Sequence, residues 1–308
     1  MSLAAFNRCA IVVIWDRGGD LQPYMQYYLK ALSSNCSKLV VVFNGLCKNS
    51  AKEQVLKLNA ECLIRPNEGY DFFAYKFGLE FIGFEQLKEF DQLILCNSSC
   101  YGPLVPFNDI FFEMNKFNCD FWGITQWVGP SWPTHIQSYF YAFNKRLIKS
   151  EVFHSYWNNL IKVNNRLEAI VCLESRLTSY FQTRGFAWRC YIPKELYHPQ
   201  FPDCTMNREI VFNILEKGLP FLKKKLVSSM DTHERVKLNK YLQKIGYPVY
   251  LINEDNAHTS FSQNLLKRER VKAILRRKDT YIIFHRIAQD IIYLYVRIRN
   301  ILFTIKPF

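Results

Sequence analysis

Four short apolar runs in the first hundred residues constrain this chain more than any other feature. They are Ala10-Ile11-Val12-Val13-Ile14-Trp15, Leu39-Val40-Val41-Val42-Phe43, Cys62-Leu63-Ile64 and Gln92-Leu93-Ile94-Leu95-Cys96. The apolar residues run on without alternation, so both faces of each strand are expected to be buried. Strands of that kind belong to parallel sheets covered by helices. Between them, 21–32, 50–58 and 71–81 have helical spacing. The resulting βαβαβ order predicts an α/β fold with a mostly parallel central sheet and flanking helices. Ser50, three residues before Glu53, reads as a helix cap. Phe73, Phe77 and Phe81, at i, i+4 and i+8, read as the core face of the third helix.

In open α/β sheets, ligands bind at the C-terminal ends of the strands. Here those ends carry Asp16, Asn44, the loop Asn67-Glu68-Gly69-Tyr70-Asp71 and the turn Asn97-Ser98-Ser99. Gly69 permits close backbone approach. Asp71 suits a ligand hydroxyl or a helix N-cap. Arg65 is a source of positive charge beside the loop. Further along, 105–117, 146–161, 168–184 and 207–217 read as helices, and 120–125, 137–143 and 187–192 as strands. Trp127 to His135 is a Gly/Pro/Trp loop suited to a substrate wall, with Trp122, Trp127 and Trp132 as candidates to stack on sugar faces.

Ten scattered cysteines without a C-x-x-C pair exclude a zinc ribbon or a thioredoxin motif. Together with the lack of a signal-like leader, they predict reduced thiols in a cytoplasmic protein. Charge divides the chain. Residues 267–308 hold eleven Lys/Arg against three acids, so +8 of the total +13 lies in the last 42 residues. Isoleucines at 274, 282, 283, 287, 291, 292, 298 and 301, with Val296 and Phe303, give that tail an amphipathic helical spacing. A basic amphipathic helix suits an anionic membrane surface, and packing on the rest of the chain or on a partner is the alternative. No motif for specific nucleic-acid recognition accompanies the charge. The expected division is a body over 1–227 and a helical basic C-terminal extension over 228–308.

Six phrases occur in order: Asn67-x-Gly69-Tyr70-Asp71-Phe72-x-Ala74-Tyr75; Asn97-Ser98-Ser99-x-Tyr101-Gly102-Pro103; Asp120-Phe121-Trp122-Gly123; His135-x-Gln137-Ser138-Tyr139-Phe140; Glu174-x-x-Leu177-Thr178; and Gly218-x-Pro220-Phe221-x-Lys223. Together they resemble the rhamnan-synthesis protein F family of bacterial glycosyltransferases over roughly residues 8–227. The resemblance implies a GT-A-like fold. It also implies transfer of a sugar, such as rhamnose, from a nucleotide-diphosphate donor to a cell-surface polysaccharide or lipid-linked glycan, at the inner face of the cytoplasmic membrane. Related enzymes hold Mg²⁺ or Mn²⁺ on the diphosphate with an acidic D-x-D-type element. The family phrase carries an acid after the Asn, and here Ser98 stands in its place. Ser99 and His135 are weak metal candidates. A metal-independent or inactive nucleotide- or glycan-binding relative, or another nucleotide-binding α/β enzyme, remains open.

Such a transfer needs donor contacts, leaving-group stabilisation and, for an inverting hexosyltransferase, a carboxylate base. The donor candidates are Asp16, Asn44, Asn67, Gly69, Asp71, Asn97, Ser98, Ser99, His135 and Gln137. Glu174, on an expected helix with Leu173, Leu177 and Tyr180, is the candidate base, and Asp120 is the second.

Overall fold

A computed structural model describes residues 6–129, 132–196, 203–252 and 278–304, with side chains in the last segment described for 287–300. Seven strands form the main sheet: β1 (Arg8–Ile14), β2 (Lys38–Asn44), β3 (Glu61–Arg65), β4 (Gln92–Asn97), β6 (Phe121–Gly123), β9 (Phe140–Asn144) and β10 (Trp188–Cys190). Their order is β10-β6-β9-β4-β1-β2-β3. The pairs β1·β2, β2·β3, β1·β4 and β6·β10 are parallel, and β9 alone runs antiparallel to both of its neighbours. The expected mostly parallel α/β sheet is therefore present. Two small ribbons, β5 (Cys100–Tyr101) with β11 (Leu222–Lys223) and β7 (Gln126–Trp127) with β8 (His135–Ile136), sit beside it.

Continuous apolar strands follow from burial on both faces. Ala10, Val12 and Ile14 of β1 enter one core cluster, and Cys9, Ile11 and Val13 enter the other. All six are at most 2% exposed. Each large apolar side chain so buried contributes roughly 1.5–3 kcal/mol. The first cluster is covered by α1 (Pro23–Ser33), α5 (Phe107–Met114), α10 (Arg208–Glu216) and α12 (Thr232–Lys244), so residues beyond 228 share the body's core. The second is covered by α3 (Tyr70–Ile82), α7 (Glu151–Asn158) and α9 (Ser175–Gln182).

The core face of α3 differs from the expected phenylalanine stripe. Phe77 and Phe81 are 37% and 48% exposed, and Phe72, Tyr75, Leu79 and Ile82 pack inward instead. Gly78 sets that face. It lies so close to β1 that a Cβ there would sit 2.7 Å from Ile11 Cγ2. The caps also differ: α2 (Asn49–Leu56) follows Lys48, so Ser50 lies inside it, and α3 is capped by Gly69 rather than Asp71. The helix expected over 168–184 is divided into α8 (Arg166–Ala169), a π-turn (Ile170–Glu174) and α9.

A last helix, α13 (Lys278–Thr304), lies against α8 and the π-turn. Val296 is fully buried there. Arg299 donates to both carboxylate oxygens of Glu168, at 3.1 and 3.0 Å, and Arg176 pairs with Asp290 at 2.9 Å. Residues 267–277, including most of the tail's basic cluster and Ile274, lie outside the described residues. So do the side chains of Ile282, Ile283, Ile301 and Phe303.

Candidate active site

A cavity of about 450 Å³ opens at the C-terminal end of β4, where α3, the π-turn and β11 meet. Asn97 closes β4 and organises its floor. Its side-chain amide donates to Asp71 Oδ2 (2.8 Å), and its Oδ1 accepts from the N–H (3.1 Å) and hydroxyl (2.6 Å) of Ser99. Asp71 reaches it because the chain enters α3 through two left-handed residues, Gly69 (φ 69°) and Tyr70 (φ 59°). Glycine takes that conformation freely, but for Tyr70 it costs on the order of 1–3 kcal/mol. Strain of this kind concentrates at ligand sites, and Tyr70 lines the cavity.

The opposite wall carries Glu174. The π-turn directs it inward, and its Oε1 accepts the backbone N–H of Ser138 (3.0 Å). Four residues later, Thr178 Oγ1 accepts the N–H of Ile136 (3.0 Å), so two helix side chains hold the segment 136–138. Asp71 and Glu174 feel each other. Burial, followed by the charge of Glu174, pushes the Asp71 carboxyl up to about 6, against the opposing pull of the Asn97 amide and Arg166.

The third wall comes from far along the chain. In the β5·β11 ribbon Lys223 stands opposite Cys100, and the N–H of Lys224 donates to Ser99 O (3.1 Å). Gly102 makes this clasp possible: a Cβ there would lie 2.6 Å from the Phe221 ring and 2.7 Å from Pro220 O. Lys223 Nζ pairs with Asp203 Oδ2 at 2.9 Å. Burial opposes the charge of each, yet their attraction outweighs it, holding Lys223 above and Asp203 below its ordinary pKa. Asp203 is braced by Thr205 and by the side chain of Gln137. Lys225 and Arg166 complete the cavity's cations.

Of the residues expected from sequence, the structure brings Asp71, Asn97, Ser99 and Glu174 to the cavity lining. Gly69 is not itself in the lining but precedes Tyr70, which is, and the Gln137 side chain hydrogen-bonds Asp203. The others lie elsewhere. Asp16 accepts from Gly18 N, Asp20 N and Gln22 Nε2, fixing the turn after β1. Asn44 donates to Asn67 Oδ1 (2.9 Å) and accepts from Arg65, tying β2 to β3. Ser98 Oγ accepts the N–H of Trp15 (3.3 Å), so the position where the family phrase has its acid points to β1 and not into the cavity.

His135 is buried among Trp127 and its own loop. Its Nδ1 lies 2.7 Å from Pro133 O, an acceptor, and burial pushes its pKa down, against the pull of Glu174. Trp122 is a core residue, and Trp127 and Trp132 meet edge to face.

Asp120 corrects the expectation most clearly. It lies at the start of β6, away from the strand ends that form the cavity. Its two oxygens bind the Arg146 guanidinium at 2.5 and 2.7 Å, and one also accepts Ala187 N–H. Burial favours its protonation, but Arg146 and Ala187 outweigh that and keep it ionised. A carboxylate so engaged is an anchor between β6, α6 (Lys145–Ile148) and β10, not a base.

The sequence reading missed Tyr70, Ser138, Arg166, Asp203, Lys223 and Lys225. Tyr70, Ser138 and Lys223 had a local signal, as members of family phrases; Arg166, Asp203 and Lys225 had none.

The cavity's fit to a divalent metal is poor. Among the described residues, no three His, Cys, Asp or Glu side chains converge. Asp71 is tied to Asn97, Glu174 to Ser138 and Asp203 to Lys223, while Asn97 and Ser99 offer only neutral oxygens.

Five of the six phrases interlock around this cavity, and the family comparison agrees with them. The description "Rhamnan synthesis protein F" matches residues 39–303. The chain belongs to the rhamnan synthesis protein F family. Among its relatives, uncharacterized protein y4gN of Sinorhizobium fredii is 26% identical over 191 residues, covering 61% of this chain and 49% of that protein. Virulence protein VirA of Vibrio anguillarum is 24% identical over 198 residues, covering 54% and 62%. The chain spans about half the length of the first of these curated relatives.

Solved structures of similar shape include the glycosyltransferase GlyE of Streptococcus pneumoniae, at 12% identity and TM-score 0.40 over 83% of this chain and 66% of that one. A cytidylyltransferase from Leptospira borgpetersenii gives 11% identity and TM-score 0.38 over 84% and 100%. Glucosyl-3-phosphoglycerate synthase from Mycobacterium tuberculosis, solved with Mn²⁺ and UDP, gives 12% and 0.31 over 46% and 58%. Among the described residues, no helix of this rhamnan-synthesis-F-family chain is long and apolar enough to cross a membrane.

Proposed function

We propose that this cavity transfers a sugar from a nucleotide-diphosphate donor to a hydroxyl of a polysaccharide or lipid-linked glycan, with inversion at the anomeric carbon. One observation carries the reading. A single cavity at the β4 strand end combines a carboxylate held by a backbone N–H, Glu174, with the Asn97–Ser99 turn and a lysine-bearing wall. The donor lies along Tyr70, Asp71, Asn97 and Ser99. The acceptor oxygen attacks the anomeric carbon and its proton passes to the Glu174 carboxylate. The bond between that carbon and the diphosphate oxygen breaks, and its electron pair leaves with the diphosphate. The hydrogen bond from Ser138 orients Glu174. Family membership favours a hexose such as rhamnose as the sugar transferred.

The same reading places the protein on an anionic membrane surface. Ile287, Ile291, Leu294, Tyr295 and Ile298 form one stripe of α13 and are 46–61% exposed, while Val296 and Arg299 hold the opposite side to the body. The sequence that precedes this stripe, residues 267–278, holds seven Lys/Arg against one acid, which complements anionic lipid headgroups. A lipid-linked acceptor would be presented at that surface.

The test is release of nucleoside diphosphate from a panel of nucleotide sugars with acceptor glycans. Glu174→Gln should lower turnover by about 10²–10⁴-fold while leaving donor affinity unchanged. A fully active variant removes the base assignment, and a chain that binds no nucleotide sugar removes the function. Leu294→Glu combined with Ile291→Glu should abolish sedimentation with phosphatidylserine-containing liposomes; unchanged sedimentation rejects the membrane role.

A further inference from the structure

The poor fit to a divalent cation leaves the departing diphosphate to be neutralised by something else. The lysine-bearing wall supplies it. Backbone hydrogen bonds fix the run Lys223-Lys224-Lys225 to the turn that ends β4: Lys223 faces Cys100 in the ribbon and Lys224 N–H donates to Ser99 O. That turn is where related enzymes place a metal-binding acid, and here it offers only Asn97 and Ser99 to the cavity.

We propose that Lys223 and Lys225, with Arg166 across the cavity mouth, bind the diphosphate directly and take the place of a divalent metal in leaving-group stabilisation. The inference rests on the glycosyl-transfer reading above and names the residues that act on its leaving group.

The geometry favours a built site over a loose surface cluster. Lys223 has three N–H donors and gives one to Asp203, which is itself held by Thr205 and Gln137. The ammonium is thus aimed before a ligand arrives, and the remaining donors are available to phosphate oxygens. Its ring neighbour Tyr139, 5.7 Å from Nζ, limits where it can swing. A fixed cation in a partly dry cavity stabilises charge developing on a leaving oxygen without reorganising.

Isothermal titration with a panel of nucleoside 5′-diphosphates and with inorganic pyrophosphate tests this, in EDTA and in excess Mn²⁺. Pyrophosphate makes the test independent of the base. Binding should persist in EDTA and weaken with added salt. Lys225→Ala and Arg166→Ala, at exposed positions, should each weaken pyrophosphate roughly tenfold or more, the usual effect of losing one charge-assisted contact. Because Lys223→Met alone strands a half-buried Asp203, the double change Lys223→Met with Asp203→Asn removes the pair as a unit and should abolish pyrophosphate binding. Binding that requires Mn²⁺, or wild-type affinity in the double variant and in Lys225→Ala, overturns the inference and leaves the transferase reading standing. No binding of any diphosphate with or without metal overturns both.

Discussion

Replacing Asp71 by Asn should make the protein more stable at neutral and alkaline pH. An unfolded aspartate ionises near 3.8, whereas in the fold burial and the neighbouring Glu174 push Asp71 up to about 6. The folded state therefore holds this proton more tightly than the unfolded chain does. The resulting stabilisation is complete below pH 3.8 and is lost as the pH rises through 6. A gap of roughly two pH units corresponds to about 3 kcal/mol. Asparagine has the same shape, never ionises, and keeps an oxygen to accept the Asn97 amide.

Urea unfolding of wild type and Asp71→Asn across pH 4–8 gives the comparison. The curves should converge towards pH 4 and separate by about 3 kcal/mol at pH 8, with the variant the more stable. In a Glu174→Gln background the gap should narrow, because the second cause of the shift is gone. An unchanged difference between pH 4 and pH 8, or a destabilised variant at pH 8, refutes the reasoning. The position would then be an ordinary helix-start carboxylate.

Gly102→Ala should cost on the order of 3 kcal/mol in the same assay, because the site has φ +147° and its Cβ would collide with Phe221 and Pro220; a cost near zero would mean that the β5·β11 contact yields easily. Asp120→Asn should cost about 1 kcal/mol, since Arg146 is largely exposed, and should leave pyrophosphate affinity unchanged by titration; a loss of that affinity would put Asp120 back among the site residues.

The sheet was legible because burial on both faces writes itself into each strand as an unbroken apolar run, as in β1 and β2. The strand-end rule then located Asn97, Ser99 and Asp71. Less local facts were hidden. The inner face of α3 is chosen by the close approach of Gly78 to Ile11, which a spacing of phenylalanines does not encode. Ser98 and Ser99 are adjacent, yet the turn sends one to β1 and the other to the cavity. Asp120 resembles a catalytic acid in sequence until Arg146, 26 residues later, folds back on it. Lys223 and Asp203 acquire their meaning only as a pair.

The β5·β11 clasp also governs when the site comes into being. Lys223 faces Cys100 across 123 positions of chain, so closing this contact costs more loop entropy than pairing the early parallel strands. A ribosome-bound chain that has emerged only as far as α9 already has six of the sheet's seven strands, Asn97 and Glu174, but lacks β10 and the wall that carries the lysines. The ability to hold a diphosphate would therefore arrive late in synthesis. In the finished protein, a bound diphosphate would slow hydrogen exchange most at the amides of residues 222–224, which carry that wall.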